Sequence, residues 1–227
     1  MVDENDLIVA QRDVFHGPGV YPTSQWMDDV PFGDTYVLRL PSTTFAPAQA
    51  HLTVGLYNRV TGTRLTASTG GDSVSFGRVQ IQPRPGQFPN PQALRFDDGI
   101  ALVGYTHQRQ IASGDDMTLT LYWQARDIPS KNYKVFIHLV GNNGIRAAQH
   151  DSEPQAGVAP TASWTSGQTI IDRHPLQIAP DTPPGEYRLV VGLYEGDTGR
   201  RLHLLYDDGV SVQSDSITLS GVRVISP

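Results

Sequence analysis

Apolar residues in this chain come in short runs, mostly β-branched or aromatic, that alternate with polar positions and stop at Gly, Asp or Pro. This is the two-residue period of half-buried strands, not the 3.6-residue period of helices. Leu119, Leu121 and Trp123 alternate with Thr118, Thr120 and Tyr122, which predicts one strand with two faces. Val135, Ile137 and Leu139 are expected to face a core, with Lys134, Phe136 and His138 on the opposite side. Leu189, Val191 and Leu193 form a further inward row, echoed by Leu52, Val54 and Leu56. Asn142-Asn143-Gly144 predicts a hairpin turn, and the stretch from Asp181 to Tyr187 predicts a turn feeding a strand.

The echo is part of an internal repeat. Residues 10–40 align with 148–178 without a gap, with ten of 31 positions identical. The matches include Ala10-Gln11-x-Asp13 with Ala148-Gln149-x-Asp151, and Pro22-Thr23-x-x-Trp26 with Pro160-Thr161-x-x-Trp164. Asp34 and Leu38 match Asp172 and Leu176. After a one-residue slip, residues 47–65 align with 184–202, with ten of 19 identical, including Gly55-Leu56-Tyr57 and Gly192-Leu193-Tyr194. The second copy also has a front half, from about Leu94 through Gly144, for which the first copy has no counterpart. The expectation is an all-β, immunoglobulin- or fibronectin-like antiparallel β-sandwich, with one complete copy and one N-terminally truncated copy. The first copy spans 1–82, a Pro-rich linker 83–92, and the complete copy 93–227, with about four strands expected in the first and about eight in the second. A half-sandwich exposes an apolar face and an unpaired edge. The first copy is therefore expected to rest on the second, pair with another chain, or belong to a longer precursor.

Composition narrows the function classes. The chain of 227 residues is 38% hydrophobic and 18% charged, with 22 Gly and 17 Pro, and its net charge is −6. No basic face is expected, which argues against nucleic-acid binding. No run approaches the roughly 20 apolar residues of a membrane-spanning helix. The acidic N-terminus lacks the apolar core of a signal peptide, and the absence of cysteine excludes disulfides and thiolate metal sites.

Several strings also resemble a known module. They are Leu121-Tyr122-Trp123-Gln124-Ala125, Val135-Phe136-Ile137-His138-Leu139, Ala148-Gln149-His150-Asp151, Pro160-Thr161-x-x-Trp164, Pro183-Pro184-Gly185-Glu186-Tyr187 and Thr198-Gly199-x-Arg201-Leu202. Together they resemble the bacterial β-sandwich module found C-terminal to polytopic membrane glycosyltransferases of the protein-mannosyltransferase type. The resemblance covers the second copy almost entirely and the first from its middle onward. It implies an extracytoplasmic location and an accessory role near glycans, with a glycan or an envelope protein as partner, and it carries over no activity.

The candidate ligand-binding residues are Gln149, Asp151 and Trp164, with their counterparts Gln11, Asp13 and Trp26. Carboxylate and amide side chains can bond sugar hydroxyls, and an indole face suits the C–H face of a pyranose. The plainer expectation is scaffold: the Asp fixes the following loop through backbone N–H groups, and the Trp plugs the open end of the sandwich. Trp123 is expected in the core. Asp97-Asp98-Gly99 and Asp207-Asp208-Gly209 could offer oxygens to calcium, but Asp-Gly is an ordinary turn and no metal or other cofactor is expected. The seven histidines show no zinc spacing, and no nucleophile elbow or phosphate loop is present. A glycosidase pair drawn from Asp151, Glu153 and Asp172 is the remaining catalytic arrangement, and the chain is expected to be no enzyme. The competing expectation to a glycan-proximal module is a structural protein that assembles, as a homo-oligomer or with other chains, through the open edge of its truncated copy.

Overall fold

The structure is a computed structural model, and it describes residues 1–205 and 214–227. In chain order its strands are β1 (Val2–Asp3), β2 (Ala48–Val54), β3 (Val74–Ile81), β4 (Leu94–Phe96), β5 (Ile100–Thr106), β6 (Gln110–Ala112), β7 (Asp116–Ala125), β8 (Tyr133–Gly141), β9 (Arg146–Ser152), β10 (Thr169–Gln177), β11 (Gly185–Glu195), β12 (Leu204–Leu205) and β13 (Ile217–Ile225). Among the described residues no helix is long and apolar enough to cross a membrane.

Strands β4 to β13 form a sandwich of two five-stranded sheets, ordered β10-β7-β5-β4-β12 and β6-β13-β11-β8-β9. Every pairing in them is antiparallel except β13 with β6, which is parallel. The strand alternation sets the core. Met117, Leu119, Leu121 and Trp123 of β7 meet Val135, Ile137 and Leu139 of β8 and Leu189, Val191 and Leu193 of β11, all fully buried. Phe136 lies on the outer face yet is buried, because Gly192 leaves room for its ring and the Arg201 guanidinium sits 4.2 Å above it. A Cβ at Gly192 would come within 2.4 Å of that ring, which is why the motif keeps glycine there. The Asn143-Gly144 turn joins β8 to β9, but only Gly144 adopts positive φ, and Asn143 Oδ1 accepts the Ile145 N–H to cap the turn.

The first repeat reproduces parts of the second. β2 and β3 pair as β11 and β13 do, and each pair breaks register at the same place, just before Leu52 and just before Leu189. The short turns Thr23–Gln25 and Thr161–Ser163 coincide in the alignment, and each presents its Trp with the same N–H bond, Trp26 to Thr23 O and Trp164 to Thr161 O. Isolated bridges Tyr57–Arg64 and Tyr194–Arg201 also correspond. Three strands rather than about four form among the described residues of the first repeat, and ten rather than about eight form in the second. Residues 31–39, the counterpart of β10, are not a strand, because β10 is held along its length by β7 and the first repeat has no β7.

The first repeat rests on the second. Thr43 Oγ1 donates to Thr218 O (2.8 Å), and Phe45 N–H donates to Ser220 Oγ (2.7 Å). The Asp3 carboxylate pairs with the Arg109 guanidinium, which also lies over the Phe45 ring. The linker is docked rather than free. Phe88 stacks on Tyr122, and Asn90 is buried, its side chain bridging Ala46 N–H and Tyr105 O.

Candidate functional site

The two repeats carry the same residues at the same places and bury them differently. In the second repeat Leu193, Leu202, Leu219 and Trp164 are 0%, 2%, 2% and 1% exposed. Their counterparts Leu56, Leu65, Phe76 and Trp26 are 36%, 58%, 52% and 38% exposed. Val54, Val74, Phe32 and Leu40 are exposed where Val191, Ile217, Ile170 and Ile178 are buried. Covering such a side chain stabilises by about 1.5–3 kcal/mol each, so this face is a strong driving force left unused within the chain.

The face opens into a cleft of about 610 Å³, with Asp13, Phe15, His16 and Thr23 on one wall and Leu56 and Tyr57 on the other. Trp26, Phe32 and His16 gather beside it, with the His16 and Trp26 rings 4.5 Å apart and the Trp26 and Phe32 rings stacked at 6.3 Å. In the second repeat the corresponding space is filled by the start of β8. Thr161 Oγ1 donates to Lys131 O (2.6 Å) and accepts from Tyr133 N–H (2.9 Å). Its counterpart Thr23 is exposed.

The edge of β2 shows the same vacancy. β11 pairs with β8 from Glu195 opposite Tyr133 to Tyr187 opposite Gly141. On β2 only the far end of that path is taken, by Val2 opposite His51 and Asp3 opposite Ala50.

The sequence candidates do not converge. Gln149 and Asp151 are exposed on the edge strand β9, on the outer sheet face opposite His138 and Phe136. Gln11 and Asp13 are exposed on the counterpart of β9, beyond its bridge from Ile8 to Val2, and Asp13 reaches the cleft. Trp164 is buried in the core and its indole N–H donates to Ala159 O (2.9 Å), the placement expected of a plug. Trp26 keeps an exposed indole. The loop-fixing carboxylate is Asp172 rather than Asp151. Asp172 Oδ1 accepts Gln155 N–H (2.7 Å), as Asp34 accepts Gly17 N–H (3.0 Å) in the first repeat. The match of Asp34 with Asp172 was the sequence signal for it.

Asp172 also organises a buried polar network that residue spacing did not show. Its Oδ2 accepts from Trp123 Nε1 (3.2 Å) and contacts His174 Nε2 (2.7 Å), while His174 Nδ1 lies 3.1 Å from His150 Nδ1. Asp172 and His174 occupy inward positions of β10, fully buried, and every contact of the carboxylate is structural. The pair Asp151 and Asp172 therefore does not flank an open site. Asp98 is likewise engaged, by Ser130 N–H and the Tyr133 hydroxyl, and Asp97 accepts His203 N–H. Among the described residues no group of three His, Asp or Glu is placed to hold a metal ion, and Asp207-Asp208-Gly209 lies outside the described residues.

No protein-family model matches the chain, and no curated protein matches it. Among solved structures, it is similar to the crystal structure of the C-terminal domain of wzt, with TM-score 0.41 and 16% identity over 63% of this chain and 83% of that one. It is similar to a CARDB domain from Pyrococcus furiosus solved with di-metal ions, with TM-score 0.33 and 11% identity over 54% of this chain and 90% of that one. AvmM, described as catalysing macrocyclization in alchivemycin A biosynthesis, aligns with TM-score 0.33 and 9% identity over 58% of this chain and 91% of that one. These distant likenesses transfer no ligand, metal or activity to this chain.

Proposed function

We propose that the chain is a non-catalytic β-sandwich module that holds a polypeptide partner on the uncovered face of its first repeat. The observation that carries this is positional: the residues exposed around Leu56, Leu65 and Phe76 are the residues that the second repeat places in its core. An apolar sheet face next to an open strand edge suits recognition by β-augmentation, in which main-chain bonds give affinity and alternate side chains give specificity. The resemblance to the module of protein-mannosyltransferase-type enzymes supports an accessory role in the bacterial envelope, outside the cytoplasm. The test is to pan a display library of random extended peptides against the full chain. Enriched binders with alternating apolar residues, lost on Val54→Lys, support the reading. A folded chain that enriches no peptide, or binders indifferent to Val54→Lys, overturns it.

One observation favours a second reading, a glycan platform: the Trp26 indole is open and Phe32 is stacked beside it. Binding on a glycan array that is lost with Trp26→Ala supports that reading, and its absence removes it.

A further inference from the structure

Resting on that docking reading, we infer that the occupant of the first repeat is a strand–arch–strand segment with the pattern of β7 and β8, supplied by a separate partner polypeptide, since a second copy has its own β7 and β8 committed to β10 and β11. The second repeat is the template. There β8 adds to the edge of β11 while β7 lies in the facing sheet, against β10. Transferred through the repeat, the β8-like strand runs antiparallel to β2 and the residues after it. Its tyrosine position stands opposite Asn58, the counterpart of Glu195, and its last leucine position opposite Leu52, the counterpart of Leu189. The strand stops there, because the next two places are already held by Val2 and Asp3.

Three features fit this occupant. Thr23 stands where Thr161 clamps the backbone at the start of β8. Asp34, held by Gly17 N–H, stands where Asp172 receives the Trp123 indole N–H from β7. Residues 31–39 align with β10 and would gain β7's counterpart as the ladder partner they lack. The partner chemistry follows. It is an extended segment with apolar residues at alternate positions, a hydrogen-bond donor aimed at Asp34, and no requirement for a cation at the Lys131 position. There Lys131, just before β8, meets the acid Glu195, where the first repeat has Asn58.

The experiment uses the full chain and a labelled synthetic peptide of residues 116–141, followed by fluorescence anisotropy, with a scrambled peptide as control. The expected result is saturable one-to-one binding that weakens at least tenfold with Leu56→Lys and severalfold with Thr23→Val. Both residues are exposed, so the variants should fold, as circular dichroism would verify. No binding by the 116–141 peptide, or binding unchanged by Leu56→Lys, overturns the inference. If library-selected peptides bind this face while the 116–141 peptide does not, the inference falls and the docking reading stands. If neither binds, both fall. Concentration-dependent dimerisation of the chain alone, abolished by Leu56→Lys, would identify a second copy as the occupant and overturn the inference.

Discussion

Trp26 and Trp164 follow the same Pro-Thr turn in two copies of one repeat, and only Trp164 is roofed over. Trp164→Ala should cost about 3–5 kcal/mol, because it leaves a large void in the core. Trp26→Ala should shift stability by no more than about 1 kcal/mol. Thermal or denaturant unfolding of the two variants checks this. Equal losses would mean that Trp26 is covered in solution.

Asp172→Ala should destabilise by about 3 kcal/mol or more, since it strands the Trp123 and Gln155 N–H groups and the buried His174 ring. Asp34→Ala, with no indole to satisfy, should cost clearly less. Chemical denaturation separates the two.

Acid should weaken the fold in two windows. Burial pushes His107 down to about 4 from an ordinary 6.5. The unfolded chain therefore takes up a proton first, and stability is lost as pH falls from 6.5 toward 4. Hydrogen bonds from Lys131, Arg200 and Thr198 hold Glu195 at about 2, below its ordinary 4.5. Its contribution is complete above 4.5 and lost as pH falls toward 2. In unfolding measured against pH, His107→Asn should flatten the upper window and Glu195→Gln the lower. A variant that leaves its window unchanged would contradict the assignment.

Asp3→Asn should loosen the N-terminal segment, because the carboxylate accepts Asn5 and Leu7 N–H groups and pairs with Arg109 across the junction of the repeats. The expected loss is about 2 kcal/mol of local stability, seen as faster hydrogen exchange over residues 1–10. Unchanged exchange there would show that the pair does not hold the junction.

Much of the sandwich was legible because alternation is a direct image of the pleat: Val135, Ile137 and Leu139 point inward as their spacing predicts. Phe136 escaped because its burial depends on Gly192 and Arg201, which lie on β11 and beyond it in sequence. Residues 31–39 align with β10 but form no strand, since a strand needs a neighbour as well as a pattern. The Asp172 network joins Trp123, His150 and His174 from three strands, so no local motif displays it. The cleft was foreshadowed only by the missing front half of the first repeat. The exposed Trp26 and buried Trp164, alike in sequence, show that burial belongs to the assembled sheets rather than to the motif.

The most direct test of an uncovered strand-accepting repeat is hydrogen exchange over residues 49–57 against 186–194 in the full chain, with and without the 116–141 peptide. The account predicts that 49–57 exchanges much faster than its buried counterpart and slows when the peptide is added, while 186–194 does not change. Equal protection of the two segments without peptide, or no slowing of 49–57 at saturating peptide, would contradict it.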